Sequence, residues 1–240
     1  MAKLDDGWKR GIDSADSRWD SYDEEIQRIV SEYNRYLRDV PGYRDLDWKL
    51  VKTMIWVETG ARSPLWNSNP MQIGNIGDPG LHAVLAGKEG ADLIIPPIYR
   101  NSLSLATVRS SPIHSIRAGV GYLLMKAARF DIRSLPDPDA PVFEVTVKPN
   151  DNIEKIAQAQ GSTVEMIEEL NPGVTTHKKA TSLQPGKVLK CRKASKRKVI
   201  IGWRPIDAST VGSLYNRGGD RLYSVKMNYA FPAVLRKTPR

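Results

Sequence analysis

A chain of 240 residues with a net charge of +9 can hold one large domain, or a medium domain with a small partner. Its 40% hydrophobic content and six Trp exclude a disordered chain, and a single cysteine, Cys191, excludes both an internal disulfide framework and a Cys-rich zinc site. The charge favours an acidic partner (nucleic acid, an anionic membrane surface or an anionic wall polymer), yet no nucleic-acid-binding motif accompanies it and no apolar run reaches membrane-spanning length.

The N-terminus, Met1-Ala2-Lys3-Leu4-Asp5-Asp6-Gly7, is charged and lacks the apolar stretch of a secretion signal. Residues 1–20 read as polar and irregular. Ser21-Tyr22-Asp23-Glu24 has capping-box form, and Tyr22, Ile26, Ile29, Val30, Tyr33 and Leu37 then fall at helical spacing. Pro41-Gly42 ends that helix. Asp45 or Asp47 can cap the next, predicted over 46–58 and closing on Glu58. Residues 59–80, rich in Gly, Asn, Ser and Pro, predict an ordered loop, and a weak helix is expected over 81–86. Pro96-Pro97 bars an internal strand over 94–98. Ser111-Pro112 opens a helix whose buried face is Ile113, Ile116, Val120, Leu123, Leu124 and Phe130. Gly119 and Gly121 within it imply close helix approach or a smooth groove wall.

Residues 135–141 read as a linker, after which the texture changes. Phe143-Glu144-Val145-Thr146-Val147 alternates as a strand, helical patterns follow at Ile153–Gln160 and Val164–Leu170, Asn171-Pro172-Gly173 stops the second, and Gly186-Lys187-Val188-Leu189-Lys190 begins another strand. Cys191 then reads as a small hydrophobe on that strand. Lys193, Lys196, Arg197 and Lys198 read as a solvated basic connector, with a weak role in holding an anionic polymer as the alternative. Two closing helices are expected, from Asp207 to Arg217 and from Tyr223 to Leu235.

Three segments carry the chemistry: Glu58-Thr59-Gly60, Asn69-Pro70-Met71-Gln72, and Leu214-Tyr215-Asn216-Arg217-Gly218-Gly219. Their order and spacing resemble the goose-type lysozyme and lytic transglycosylase superfamily, whose pattern is Glu-Ser-Gly, Gly-Leu-Met-Gln and Ala-Tyr-Asn-Gly. Ser115-Ile116-Arg117-Ala118-Gly119-Val120-Gly121-Tyr122-Leu123 is similar to a further segment of that superfamily. The resemblance implies that Glu58 is the single catalytic acid for the bond between N-acetylmuramic acid and N-acetylglucosamine, then the base for the muramoyl 6-hydroxyl, giving a 1,6-anhydro product. A carboxyl at the end of an apolar helix can be held protonated by burial, as a general acid must be. Thr59, Met71, Gln72, Tyr215 and Asn216 are implied as substrate-binding residues, with Tyr215 bonded near the acid or to the substrate's acetamido group, Asn216 shaping the sugar site, and Met71 either in the groove wall or in the core. Thr59 stands where the family has Ser, and Asn69-Pro70 where it has Gly-Leu, a change that bears on substrate fit. No second carboxylate matches; Asp78 is the nearest and reads as a turn residue in Gly77-Asp78-Pro79-Gly80.

Residues 145–153, 156–157, 171–173 and 183–189 resemble a LysM module, which implies binding to N-acetylglucosamine-containing chains. The loops Asn150-Asp151-Asn152 and Asn171-Pro172 would carry the glycan groove, with Asn150-Asp151-Asn152 replacing the usual Gly-Asp-Thr. The fold expected is therefore mainly α: a lysozyme-like transglycosylase domain in two parts, 1–135 and 199–240, around an inserted βααβ LysM module at 142–194. His82, His114 and His177 are scattered and read as non-functional; no metal and no cofactor are expected.

The expected partners are peptidoglycan strands and, for an antibacterial effector delivered by an apparatus such as type VI secretion, a cognate immunity protein and a secretion component. No nucleic acid and no membrane span are expected, and action in the periplasm or wall of a target cell follows. The alternatives are a phage lysis enzyme, a goose-type lysozyme hydrolysing the same bond, and a non-catalytic wall-binding protein.

Overall fold

The computed structural model describes residues 3–75, 78–174, 183–216 and 219–238. Helices dominate, and the chain divides into two compact units: 1–130 with 200–240, and 131–199.

The first unit is organised around two helices that are mainly apolar and largely buried. In α3 (Trp48–Glu58), every residue from Leu50 to Val57 is buried. A helix apolar on most of its circumference is buried on most sides, and α3 packs against α2 (Asp23–Leu37) and α11 (Tyr223–Lys237). Asp47, of the two candidate caps, starts it by accepting from the Lys49 amide at 2.8 Å. The second such helix, α8 (Pro112–Ala127), packs on α2, on α4 (Pro79–Leu85), α5 (Ala91–Ile94) and α7 (Leu105–Ser110). Pro97–Arg100 forms the short α6, so the double proline opens a helical turn where a strand was excluded. No described helix is long and apolar enough to cross a membrane.

Gly121 of α8 marks a close approach. A Cβ there would stand 2.2 Å from Ile95 Cδ1 and 2.6 Å from the Tyr33 hydroxyl, which is itself held by its 2.8 Å bond to the Arg117 carbonyl. Gly121→Ala is expected to cost about 1–2 kcal/mol, overpacking outweighing the better helix propensity of Ala. Thermal unfolding followed by Trp fluorescence checks this; an unchanged or raised midpoint would contradict it. All six Trp lie in the first unit, so the signal reports that unit alone.

Several expectations need correction. Residues 1–20 are not irregular: Asp5 caps α1 (Asp6–Asp13), accepting from the Trp8 amide at 2.8 Å, and a 3-10 turn at Ser17–Asp20 buries Trp19. The capping box at residue 21 does not form, because the Ser21 hydroxyl accepts from the Trp66 indole at 3.2 Å and leaves α2 without a side-chain cap. The helix expected to reach Phe130 stops at Ala127. Phe130 lies instead on β1 (Ala128–Pro136), against Gly90, where a Cβ would fall 2.3 Å from its ring. The basic connector is largely strand, β4 (Ala194–Trp203), which pairs with β1; of the expected linker at 135–141, Leu135 and Pro136 end β1 and the remainder, 137–141, lies outside any helix or strand.

Within the second unit, β2 (Val142–Thr146) pairs antiparallel with β3 (Val188–Arg192), Val142 opposite Arg192 and Thr146 opposite Val188. Between them run α9 (Ile153–Gln160) and α10 (Val164–Leu170). Val147, Ile153, Ile156, Ala157, Ile167, Leu189 and Cys191 form their shared core. Burial pushes the Cys191 thiol up, consistent with a small apolar packing role.

Candidate active site

The C-terminal end of α3 delivers Glu58 to a cleft of about 460 Å³, lined with it by Gln72, Asn75, Asp78, Tyr122, Tyr215 and Asn216. Burial pushes the Glu58 carboxyl from 4.5 up to about 7, and the charges of Asp220 and Asp78 push in the same direction. The negative end of the helix dipole opposes ionisation as well. Tyr223 and Lys226 act against these, the Tyr223 hydroxyl being the strongest influence that favours the carboxylate.

The loop facing Glu58 is held by a chain of hydrogen bonds that accounts for its sequence. The Thr59 hydroxyl donates to the Pro70 carbonyl at 2.6 Å, tying the helix end to the loop. The Met71 amide donates to Ser115 Oγ at 3.1 Å, the Ser115 hydroxyl to Asn69 Oδ1 at 2.7 Å, and the Asn69 amide to the Ile73 carbonyl at 3.1 Å. Buried polar groups require such partners. Asn69, which departs from the superfamily pattern, is thus 3% exposed and fully engaged. Gln72 adopts φ 50°, an uncommon conformation for a side-chain-bearing residue, and its amide donates to the Glu58 carbonyl. Asp78 caps α4, accepting from the Gly80 and Gly74 amides at 2.7 Å each, and also lines the cleft.

From the far end of the sequence, a π-helical turn, Gly212–Asn216, brings Tyr215 and Asn216 to the same cleft. Such turns interrupt regular helix geometry and recur at functional sites. The Tyr215 hydroxyl donates to the Met71 carbonyl at 2.8 Å, not to the acid, and its ring meets Tyr122 edge to face at 5.5 Å. Asn216 Oδ1 accepts from the Asp220 amide at 2.5 Å.

Glu58, Gln72, Tyr215 and Asn216 are therefore brought together on one cleft, whereas Thr59 and Met71 stand behind it. Met71 is fully buried against Gly119, which makes it core and not groove wall: a Cβ on that glycine would come within 2.6 Å of Met71 Cε. Arg217 and Gly218 of the third segment lie outside the described residues, as does His177. His114 Nδ1 is 2.9 Å from Ser111 Oγ, and among the described residues no cluster of His, Cys, Asp or Glu is placed to hold a metal.

Asn75 and Tyr122 line the cleft without a signal in the sequence that marks them, and a third residue, Tyr223, stands unannounced beside the acid. Tyr223, at the start of α11, is 3% exposed; its hydroxyl lies beside the Glu58 carboxyl and completes a full hydrogen bond with no group among the described residues. Burial and the Glu58 charge together raise its own pKa well above the phenol range. Its sequence neighbourhood reads as ordinary aromatic packing, and only the fold places it. Tyr223→Phe removes the strongest influence favouring the Glu58 carboxylate, so the Glu58 midpoint should rise above about 7. A carboxyl ¹³C titration of selectively labelled protein measures it, and a midpoint that stays or falls would refute the assignment.

In the second unit, the predicted glycan loops spend their side chains on the fold. Asn152 caps α9, accepting from the Lys155 amide at 2.7 Å, and Asp151 accepts from the Lys148 amide at 2.8 Å. Asn171 donates to the Lys190 carbonyl and accepts from the Lys190 amide, both at 2.8 Å, in the manner of a strand partner. Asn150 holds φ 66°, with its carbonyl taking the Lys155 ammonium at 2.9 Å; Pro172 follows Asn171 in the turn after α10. What these loops offer a ligand is chiefly backbone.

Residues 145–191 match the family model of the LysM domain, a peptidoglycan-binding module. Comparison of the chain with curated proteins and with solved structures finds no match.

Proposed function

We propose that the chain is a peptidoglycan lytic transglycosylase whose second unit holds it on the wall. The observation that carries this reading is Glu58: a carboxyl pushed up to about 7, at the end of a buried helix, on an open polar cleft. An acid with that pKa is about half protonated at neutral pH, which suits a group that first gives a proton and then takes one. Glu58 protonates the glycosidic oxygen as the bond to muramoyl C1 breaks. The resulting carboxylate accepts the proton of the muramoyl 6-hydroxyl as that oxygen closes on C1, so the acid is restored and no water is consumed. Tyr223, beside the carboxyl, is suited to support its charged stage. The peptidoglycan substrate is supported by the LysM match at 145–191.

Asp78 supports a second reading. A carboxylate in the same cleft could orient water, as a hydrolysing lysozyme requires, although both its oxygens already accept backbone N–H bonds.

Mass spectrometry of products released from purified sacculi tests both. Anhydro-muramoyl ends support the transglycosylase. Reducing ends would transfer the role of second group to Asp78, and sacculus binding without release would leave a wall-binding protein.

A further inference from the structure

A second cleft, of about 500 Å³, opens in the first unit away from Glu58. It lies where the loop before α3, Gly42 to Leu46, meets the segment after β4, Trp203 to Asp207. Glu58 is at the other end of α3, so the length of that helix, roughly 16 Å at 1.5 Å per residue, separates the two sites.

We infer that this cleft is an accessory binding site for a carboxylate-bearing glycan, a peptidoglycan strand segment with its acidic substituents. The inference rests on the peptidoglycan reading above for the identity of the glycan, and on the following features for the site. Tyr43 and Trp203 meet edge to face at 4.9 Å, and the Tyr43 hydroxyl is anchored to Asn34 Oδ1 at 2.7 Å, so a rigid aromatic wall is already in place. Such a wall offers an apolar face to a ring at small entropic cost. The Trp203 indole N–H is buried and has no hydrogen-bond partner among the described residues, so the ring is held in the wall by packing alone.

The charges divide between spent and unspent groups. Asp207 is consumed by the fold: its carboxylate accepts from the Ser209 and Thr210 amides and the Ser209 hydroxyl, which hold it below the usual carboxylate range despite partial burial. Arg204 is positioned by its backbone bond to the Ala127 carbonyl at 2.8 Å, with its guanidinium reaching the Lys126 carbonyl at 3.4 Å. Arg44 and Asp45 are exposed and have no ion-pair partner among the described residues. The groups left for a ligand are thus two guanidiniums and one carboxylate. That set favours an anion, with bidentate Arg–carboxylate geometry available and one acceptor for a hydroxyl or amide. A neutral sugar would use the aromatic wall and leave Arg44 without an ionic partner and Arg204 with only the Lys126 carbonyl.

The test uses the full-length Glu58→Gln chain labelled with 5-fluorotryptophan, the Trp203 ¹⁹F resonance being assigned by Trp203→Phe. The probes are a muramyl-peptide tetrasaccharide, which carries carboxylates, and an N-acetylglucosamine tetramer, which does not. We expect the Trp203 resonance to shift saturably with the first probe. Arg44→Ala combined with Arg204→Ala, both at exposed positions, should weaken that response at least about tenfold. A Trp203 signal that stays still while other resonances move would overturn the site. An equal response to the neutral tetramer, or one indifferent to the two arginines, would overturn the ligand class. Failure of the activity reading shows separately, as the parent chain releasing nothing from sacculi; a Trp203 shift that persists in that case supports the site on its own.

Discussion

Glu58→Gln is expected to reduce the release of soluble glycan from sacculi by about 10²–10⁴-fold, the range a positioned general acid contributes. The substitution keeps the shape and hydrogen-bonding capacity of the side chain and removes only the proton it gives and takes. In the parent, kcat/KM should fall as pH rises above about 7, because the form that protonates the leaving oxygen is titrated away. The same pKa makes a prediction about stability with a defined sign. The folded-state value of about 7 lies above the reference value of 4.5, so between these two pH values the native state binds more protons than the unfolded state. Stability is therefore full below about 4.5 and is lost as pH rises through about 7, to a limit of about 3 kcal/mol at 1.36 kcal/mol per pKa unit. Gln carries no such penalty. The variant should equal the parent at pH 4 and exceed it in stability at pH 8, while remaining inactive at both. A variant that is inactive and also less stable at pH 8 would mean that activity was lost through misfolding, and Glu58 would lose its assigned role. Residual activity near the parent's would remove Glu58 from the chemistry directly.

The acid was legible in the sequence because two local signals converge there: a mainly apolar helix and a carboxylic residue at its end. The same kind of signal made α2 and α8 readable, and β2, α9, α10 and β3 of the second unit, where periodicity switches between 2 and 3.6 within a short span. Other features have no distinct local signature. Strand β1 does alternate, Ala128, Phe130 and Ile132 against Arg129, Asp131 and Arg133, but the pattern directly continues the apolar run of α8 and reads as part of that helix; β4 carries Lys196, Arg197 and Lys198 in a row, with no alternation, and is a strand because β1 supplies its backbone partners. The Tyr215 hydroxyl finds the Met71 carbonyl across 144 positions of sequence, so its role as a strut under the loop, and not as a partner of the acid, follows only from the fold. The same holds for Tyr223. A motif supplies residue identities, whereas hydrogen-bond partners depend on which elements meet. In α1 a local signal was present, with Asp5 three residues before Trp8 and Trp8 four before Ile12, but the surrounding charges obscured it.

Lys52→Met should destabilise the first unit by about 2–4 kcal/mol. Lys52 lies in the middle of the buried α3 and is 1% exposed, a placement a lysine tolerates only when its ammonium is fully paired. Its three protons are all used: on Asp20 Oδ1 at 2.6 Å, Asp23 Oδ2 at 2.8 Å and Thr238 Oγ1 at 3.0 Å. Trp48 and Trp56 flank it, with ring centroids 5.9 and 5.6 Å from the ammonium. One cation thus joins the segment before α2, the central helix and the C-terminal end of the chain, elements that are distant in sequence. Met preserves the apolar stem and removes the charge, leaving Asp23, 20% exposed, next to Asp20 with no cation between them. Asp20 is 44% exposed and can rehydrate, which keeps the expected loss below the upper end for buried pairs. The loss should depend on pH. Burial already raises the Asp23 pKa in the parent against the opposing pull of Lys52. Without that pull its folded-state value rises further, so the variant loses stability as pH climbs from the unfolded carboxylate pKa through the raised one. At pH 4 Asp23 accepts a proton in the variant, which removes the unpaired buried charge, and the two proteins should converge. Denaturant unfolding followed by Trp fluorescence at pH 4 and pH 7.5 measures the difference within the first unit alone. A gap that is equal at both pH values would show that Lys52 acts through packing of its stem and not through its charge, and Lys52→Arg, which keeps the charge in a different shape, should then be no better than Met.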